Sequence, residues 1–481
     1  MPIKSGAQYI RSIDQLQSYI VMDGKRLSGP LSGHAAFRGL LATQASLYDM
    51  QGEDLYKDKM TYPSPATGDP VGLSFLQPTS KSDLRRRSRM MSMWAERHYG
   101  MLGRSPDYMN VALTAYASAA GVLRQANPEY ADNLENYYVY CRERDITLSH
   151  AFVQPAGSRQ SAIMDPFETS TAAKALAHDQ DGMIVSGAFL MATQAATSEE
   201  ILVFPPPVSY FKEDSPYAFA FAIPVNTPGL TLVCRESYAL GDSSFDYPLS
   251  SRFEEMDALV ICDQVRVPRD RIFLYGDAYT ANEWTRESQF HAQVSHQTLC
   301  RYIAKTELFL GTAEKLAKLT DADTDTIDEQ LAEVIVALEI LKALKLQAEE
   351  KAKKNKWGVM VPDRNTMLVA NVYFPKIYPR MMTVIQRLAS SRMVMIPTEK
   401  DFQGDAAAHL RTYLQISETE AQDVIAINRL AWELGASSFA GRQAQYERLF
   451  FGGPQAVNTR LCRHAASREK SLQTVDRLLK L

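Results

Sequence analysis

The hydrophobic pattern of this chain changes period twice, and that constrains its fold more than any single motif. Up to about residue 150 the apolar positions recur with helical spacing. The stretch from Asp83 to His98 holds no Gly or Pro and carries Met and Trp among its charges, and Asn110 to Arg124 is Ala-rich with apolar residues near every 3.6 positions. Asn127-Pro128 reads as a helix start, Asn as cap and Pro at the first position, for a helix ending near Asp145. From about 151 to 280 the texture is different. Ile201 to Phe204, Tyr217 to Val225, Leu230 to Cys234 and Ala258 to Ile261 are short β-rich runs punctuated by Gly, Pro, Asp and Ser. Beyond 281 helices return. Glu329 to Lys351 is long and amphipathic, with Leu331, Ile335, Leu338 and Leu341 on one stripe. Asn371 to Ser391 contains Pro375 and Pro379 and is expected to be broken or kinked. The pattern predicts an α+β chain: a mainly helical domain over 1–150, a middle β-domain of sandwich or barrel type over 151–280, and a C-terminal four-helix bundle with a tail over 281–481.

The 481 residues suffice for two or three cores. A net charge of -4 gives no electrostatic case for nucleic acid or an anionic membrane. The local run Arg85-Arg86-Arg87 with Arg89 is expected on a solvated helix face. Five cysteines, Cys141, Cys234, Cys262, Cys300 and Cys462, are scattered without paired or metal-finger spacing, which fits reduced thiols in a cytoplasm. The opening Met-Pro-Ile-Lys-Ser-Gly lacks a secretion signal's layout, and no apolar run reaches bilayer-spanning length. A soluble cytoplasmic protein is the expectation.

Chemistry-bearing residues concentrate in Gly103-Arg104-Ser105-Pro106-Asp107-Tyr108 and in Asp145-Ile146-Thr147-Leu148-Ser149-His150. Arg104 and Tyr108 are four apart and would share one face of a helix. A guanidinium, always charged, holds an anion or a developing negative charge. A phenol donates or accepts a hydrogen bond, and an imidazole carries a proton near neutral pH. A further imidazole, His296, lies in Val294-Ser295-His296-Gln297, with His291 five residues earlier; residues five apart share a helix face poorly, so at most one of the two points at a site, and His296 is favoured. The chain has no GxGxxG following a strand, no phosphate loop, no HExxH and no GxSxG, so a Rossmann-type dinucleotide site is not supported.

Blocks spread nearly end to end carry a resemblance. They are Gly72-Leu73-Ser74-Phe75-Leu76, Gly100 to Asn110, Leu148-Ser149-His150-Ala151, and Tyr247-Pro248-Leu249-Ser250-Ser251-Arg252-Phe253-Glu254-Glu255-Met256-Asp257. Val265-Arg266-Val267-Pro268, Ala304 to Gly311, and Gln445 to Gly452 continue the series. In their order and number they resemble the oxygenase component of two-component, flavin-dependent phenol monooxygenases, the 4-hydroxyphenylacetate 3-monooxygenase family. The resemblance implies an acyl-CoA dehydrogenase-like architecture and a homotetramer built from dimers. It implies FAD used as FADH2, together with O2, and a separate NAD(P)H:flavin reductase that supplies the reduced flavin. The reaction implied is ortho-hydroxylation of a phenol to a catechol through a flavin C4a-hydroperoxide. Arg104, Tyr108 and His150 match the family's positions beside flavin and substrate hydroxyl, and His296 falls where halophenol and nitrophenol members place a substrate-deprotonating histidine. The flavin contacts implied are His150, Ala156, Arg159, Thr193, Gly452, Gly453 and Pro454.

Two departures bear on ligands. Gly452-Gly453-Pro454 stands where the family has Gly-Asp-Pro, which leaves that flavin contact to backbone groups. Pro206-Pro207 stands where the 4-hydroxyphenylacetate enzymes have hydroxyl residues reaching the substrate carboxylate; proline offers no donor there, so a carboxylate-bearing substrate is less strongly implied and a simple phenol, a halophenol or a larger phenolic acid becomes a candidate. The alternatives are a flavoenzyme of the acyl-CoA dehydrogenase or 4-hydroxybutyryl-CoA dehydratase kind, and a non-enzymatic helical scaffold. The dehydratase needs cysteine ligands for an iron cluster, and Gly100 to Tyr108 contains none.

Overall fold

The computed structural model describes residues 2–153, 155, 171–204, 214–320, 324–465 and 467–480. Within them the helix signals of the sequence become caps. The Asn127 side chain accepts from the Glu129 N–H at 3.0 Å, Pro128 opens the helix Pro128–Arg144, and Asp145 ends it in a left-handed conformation. Ser80 and Asp83 form a capping box at the start of Lys81–Arg97.

Two sheets follow. A six-stranded sheet runs in the order Lys25–Arg26, Ile20–Met22, Leu230–Cys234, Asp257–Pro268, Gly182–Thr193, Lys174–Asp179. A four-stranded sheet runs Ile272–Asp277, Asp214–Pro224, Glu200–Val203, Leu148–Ala151. Pairing is antiparallel except where Ile20–Met22 meets Leu230–Cys234 and Leu148–Ala151 meets Glu200–Val203. Their inner faces share one core: Val185 and Phe189 on the first sheet pack with Phe219, Phe221 and Ile223 on the second, and the Phe189 and Phe219 rings meet edge to face at 6.4 Å. This is the expected sandwich, with Ile20–Met22 and Lys25–Arg26 added to its edge from the N-terminal part of the chain.

The helices Phe290–Ala317, Thr324–Glu350, Arg364–Ala389 and Ala421–Gly435 form the bundle. Tyr302 stacks on Phe374 at 3.7 Å and Phe309 meets Tyr378 edge-on at 5.4 Å across its centre.

Local expectations change at four points. The buried stripe of Thr324–Glu350 is Leu331, Val334, Leu338, Leu341 and Ala348; Ile335, one residue off that seam, is 42% exposed. Arg364–Ala389 is one continuous helix with Pro375 and Pro379 inside it. Both prolines line a surface cleft with Asn371. The Ala-rich stretch divides into Pro106–Ser118 and Ala120–Ala126 at Ala119; the Trp357 ring sits against Gly121 where a Cβ would be only 2.3 Å from it. Arg85, Arg86 and Arg89 are exposed as expected, but Arg87 is fully buried and donates to the Leu76 carbonyl and to Gln293.

Candidate functional site

Pro106 starts the helix Pro106–Ser118, so Arg104 lies in the turn before it and not on its surface. The pairing with Tyr108 forms all the same, by folding the arginine back over the first helical turn. The Arg104 guanidinium lies 4.1 Å from the Tyr108 ring centre and 4.1 Å from that of Phe450. His150 comes from the wholly buried strand Leu148–Ala151, where it pairs with Leu202. Its ring is 6.1 Å from Tyr108, stacks on Phe152 at 5.2 Å and lies 5.7 Å from Phe204. The aromatic wall continues: Phe204 is 5.1 Å from Tyr116 and 5.3 Å from Phe290. Three sequence-predicted residues, Arg104, Tyr108 and His150, are thus brought together inside a cage of rings.

Three polar atoms of this cage find no partner among the described residues. Arg104 Nε, His150 Nδ1 and the Tyr446 hydroxyl are enclosed without a hydrogen-bond partner. Burial, reinforced by the Arg104 charge, holds His150 well below the usual histidine range, so its imidazole is neutral at physiological pH. Burial raises the Tyr108 phenol, with Arg104 and Arg301 opposing. Beneath it, burial pushes Asp107 up to about 6 against hydrogen bonds from Ser105 and Gln297. A fixed cation and a neutral imidazole among aromatic side chains are groups suited to one polar substituent of an aromatic ring.

A second layer holds Arg104. Its backbone N–H donates to Glu255 at 2.7 Å, and Glu255 also accepts from Gln194 at 2.7 Å and from Arg442 at 3.0 Å. Arg442 grips Asp257 through two nitrogens at 3.0 and 2.8 Å and lies 3.9 Å from the Tyr446 ring centre. Tyr446 in turn presses on Gly103, where a Cβ would come within 2.1 Å of its ring. Arg442, Tyr446 and Phe450 are spaced by four and mark one face of the helix Ser438–Leu449 and its cap. The sequence reading passed over all three and Glu255 as site residues; the i, i+4, i+8 repeat of cation and rings was the signal available.

His296 is not brought to this set. Its Nε2 lies 3.1 Å from Glu349, which also accepts from Ser88 at 2.7 Å. One residue turns a helix by about 100°. Gln297 therefore reaches Ser105 and Asp107, while His296 faces the Thr324–Glu350 helix. His291, the competitor, stands next to Phe290 at the aromatic wall, ring to ring at 5.2 Å.

Thr193 is buried at the end of its strand; its hydroxyl donates to Asp257 at 2.7 Å and its carbonyl accepts from Ser149 at 2.7 Å. Gly452, Gly453 and Pro454 are exposed, and Gly453 precedes the helix Pro454–His464 without a side-chain cap. Gly452, at φ 103°, takes a conformation that favours glycine. Here a cleft of about 260 Å³ is lined by Lys376, Arg448, Phe451, Gly452, Pro454 and Asn458. Two cations beside free helix-start N–H groups suit a phosphate-bearing group, and Phe451 joins the cleft to Phe450 of the cage. A flavin nucleotide, with an aromatic head and an anionic tail, fits this donor set. Ala156, Arg159, Pro206 and Pro207 lie outside the described residues. No described helix is long and apolar enough to cross a membrane.

A helix–sandwich–bundle enclosing a buried Arg–Tyr–His set defines an acyl-CoA dehydrogenase-like α+β protein. The same fold occurs in a 4-hydroxybutyryl-CoA dehydratase from N. maritimus, with a TM-score of 0.88 over 99% of this chain and 95% of that one at 20% identity. The chain belongs to the 4-hydroxyphenylacetate 3-hydroxylase family: the family's N-terminal model matches residues 5–274 and its C-terminal model residues 281–480. It is 39% identical to the 4-hydroxyphenylacetate 3-monooxygenase oxygenase component of Thermus thermophilus, covering 94% of this chain and 92% of that protein. A solved oxygenase component of 4-hydroxyphenylacetate 3-monooxygenase, complexed with FAD and 4-hydroxyphenylacetate, superposes with a TM-score of 0.92 over 99% and 98% of the two chains at 36% identity.

Proposed function

We infer that this chain is the oxygenase component of a two-component, FAD-dependent phenol hydroxylase that inserts one oxygen of O2 beside a phenolic hydroxyl. The observation that carries this reading is the cage in which Arg104, Tyr108 and His150 converge with unsatisfied polar atoms among aromatic walls. Bound in its reduced form, FAD supplies with O2 the electrophilic oxygen. The chain's own residues do the rest. Arg104 stabilises the phenolate as negative charge grows on the substrate oxygen. His150, kept neutral, accepts a hydrogen bond from the substrate hydroxyl and draws its proton outward, which pushes electron density into the ring. Tyr108 stays protonated and orients the oxygen donor. Phe152, Phe204, Tyr116, Phe290 and Phe450 hold the ring and exclude water.

The flavin would be held by backbone groups at Gly452, Gly453 and Pro454 and by Thr193, with Ala156 and Arg159 completing the set by family resemblance. A separate NAD(P)H:flavin reductase supplies FADH2, and the protein works in the cytoplasm as a homotetramer. The test is oxygen-initiated turnover by purified protein with chemically reduced FAD. The substrates are 4-hydroxyphenylacetate, phenol, 4-coumarate and 2,4,6-trichlorophenol, with hydroxylated product and peroxide both quantified. Catechol or quinol from at least one is expected. Neither product, with flavin reoxidation no faster than in buffer, overturns the reading.

A further inference from the structure

Arg442 joins three parts of the chain that lie far apart in sequence. It stands on the helix Ser438–Leu449, while its partners Glu255 and Asp257 lie at the entry to the sandwich strand Asp257–Pro268. Residues two apart on an extended chain face one side, and Met256 between them belongs to the sandwich core. The two carboxylates therefore stand side by side, and one guanidinium spans both. Its Nη1 donates to Glu255 at 3.0 Å, and its Nε and Nη2 donate to Asp257 at 3.0 and 2.8 Å. Burial alone would raise Asp257, but Arg442 and Arg235 outweigh it and hold the carboxyl at about 2.

Each carboxylate also holds a second group. Glu255 accepts the Arg104 backbone N–H at 2.7 Å, in the turn before the helix Pro106–Ser118. Asp257 accepts the Thr193 hydroxyl at 2.7 Å, at the end of the strand Gly182–Thr193. Gln194, the next residue, closes the circuit. Its side chain donates to Glu255 at 2.7 Å and its backbone N–H to the Met256 carbonyl at 2.7 Å. Gln194 sits at φ 62°, a left-handed conformation uncommon outside glycine, and these bonds hold it there. Arg442 also lies 3.9 Å from the centre of the Tyr446 ring, which presses on Gly103, the residue before Arg104. An ion pair with either carboxylate alone would neutralise the arginine. Spanning both fixes the distance between Thr193 and Arg104, and a rigid planar fork transmits position where a flexible point charge does not.

We propose that Arg442 is a positioning residue that fixes Thr193 and Arg104 relative to each other, and so sets the flavin edge against the phenol oxygen. This deepens the hydroxylase reading and rests on it, with Thr193 at the flavin and Arg104 at the substrate hydroxyl. The Arg442 guanidinium is committed to the two carboxylates, so it acts through Asp257 on one side and through Glu255 on the other. Oxygen transfer is sensitive to that separation, because a misplacement of about 1 Å can cost on the order of 100-fold in rate. Reoxidation of FADH2 by O2 to FAD and H2O2 needs no phenol in register. Conversion of FADH2, O2 and the phenol to FAD, water and hydroxylated phenol does. Loosening the clasp therefore diverts turnover from product to peroxide.

The experiment compares full-length wild type, Arg442→Lys and Glu255→Gln with chemically reduced FAD, O2 and whichever of the phenols tested above gives most product. Arg442→Lys keeps the charge but loses the fork that spans both carboxylates. Glu255→Gln keeps an acceptor for the Arg104 N–H but gives up the ion pair, and being nearly isosteric it decides the matter if the lysine variant does not fold. In both, the ratio of hydroxylated product to peroxide should fall by roughly tenfold through kcat for product, while KM for the phenol and the dissociation constant for reduced FAD stay within about twofold. Thr193→Val and Glu255→Gln, at the two ends of the clasp, should be non-additive in the wild type and additive in Arg442→Lys. A merely structural arginine gives a lower urea midpoint with an unchanged ratio in the folded protein, and that result overturns the proposal. So does a ratio that falls only in step with weaker binding of phenol or FAD. Failure of the hydroxylase reading looks different: the wild type itself gives no product from any of the phenols, whereas failure of the clasp leaves wild-type product that the variants keep.

Discussion

In the proposed site Arg104 is the residue whose environment is most telling. Its guanidinium is clasped between the Tyr108 and Phe450 rings while its backbone N–H is fixed by Glu255, so the charge is held before substrate arrives. Arg104→Ala should therefore uncouple turnover, with peroxide released at the expense of catechol; an unchanged ratio of the two products would remove Arg104 from the chemistry. Asp107 gives a second prediction. Burial raises its carboxyl from 3.8 to about 6, so the folded state holds a proton that the unfolded chain releases. Its contribution is full below about pH 4 and is lost as pH rises through 6. Asp107→Asn should flatten that decline in a pH series of urea midpoints, and an unaltered slope would contradict the buried, protonated carboxyl. Arg104, Tyr108 and His150 were legible as residue types in suggestive blocks. The helical-spacing argument for the first two was not the operative one, because Pro106 puts Arg104 outside the helix.

At the scale of elements, the helix Ser438–Leu449 joins the bundle to the cage. One face carries Arg442 and Tyr446 toward Glu255 and Gly103. The neighbouring face carries Gln443 and Glu447 into the bundle, where Glu447 accepts from Arg301 at 2.9 Å and from Lys305 at 2.5 Å with all three side chains fully enclosed. Burial alone would raise Glu447, but Arg301 and Lys305 outweigh it and hold it at about 2. Glu447→Gln leaves two buried cations underpaired and should cost about 3–5 kcal/mol in chemical denaturation. In the wild type the same pair predicts stability that is full above pH 4.5 and lost as pH falls through 2. A variant with wild-type midpoint would mean the network adds nothing. The sequence foretold this helix only as a block of resemblance. Its two working faces depend on what packs against each, and that is set by tertiary approach rather than by periodicity. The same limit explains Ile335 and His296: a period places residues on a cylinder but leaves the cylinder's rotation undetermined, and a turn of about 100° per residue decides which neighbour points inward. The short strands were legible where β-branched runs were dense, while Gly182–Thr193, with its glycines and methionines, was not.

For the whole molecule, two consequences follow from what the fold leaves open. Ile335, Val336 and Ile340 are exposed at 42, 55 and 37% on the outer face of a bundle helix, an apolar strip that self-association would cover. Val336→Asp should lower the mass seen by light scattering, and a mass equal to wild type would place any subunit contact elsewhere. The deeper consequence concerns the flavin. On the proposed two-component reading, reducing equivalents arrive on a flavin reduced elsewhere, and the oxidised flavin leaves for the next cycle. A carrier that is exchanged in this way works only if the protein distinguishes its two redox states, because a ligand bound equally well in both gives no direction to the exchange. The cage supplies a reason for the distinction: Arg104, buried and with no carboxylate on its guanidinium among the described residues, favours the more electron-rich ring system. Anaerobic titration should therefore give a dissociation constant for reduced FAD at least about tenfold below that for oxidised FAD, a difference of roughly 1.4 kcal/mol. Arg104→Ala should narrow that gap while leaving oxidised FAD binding nearly as it was. Equal affinities in the wild type would argue against a freely exchanged flavin and for one that stays resident on this chain and is reduced in place.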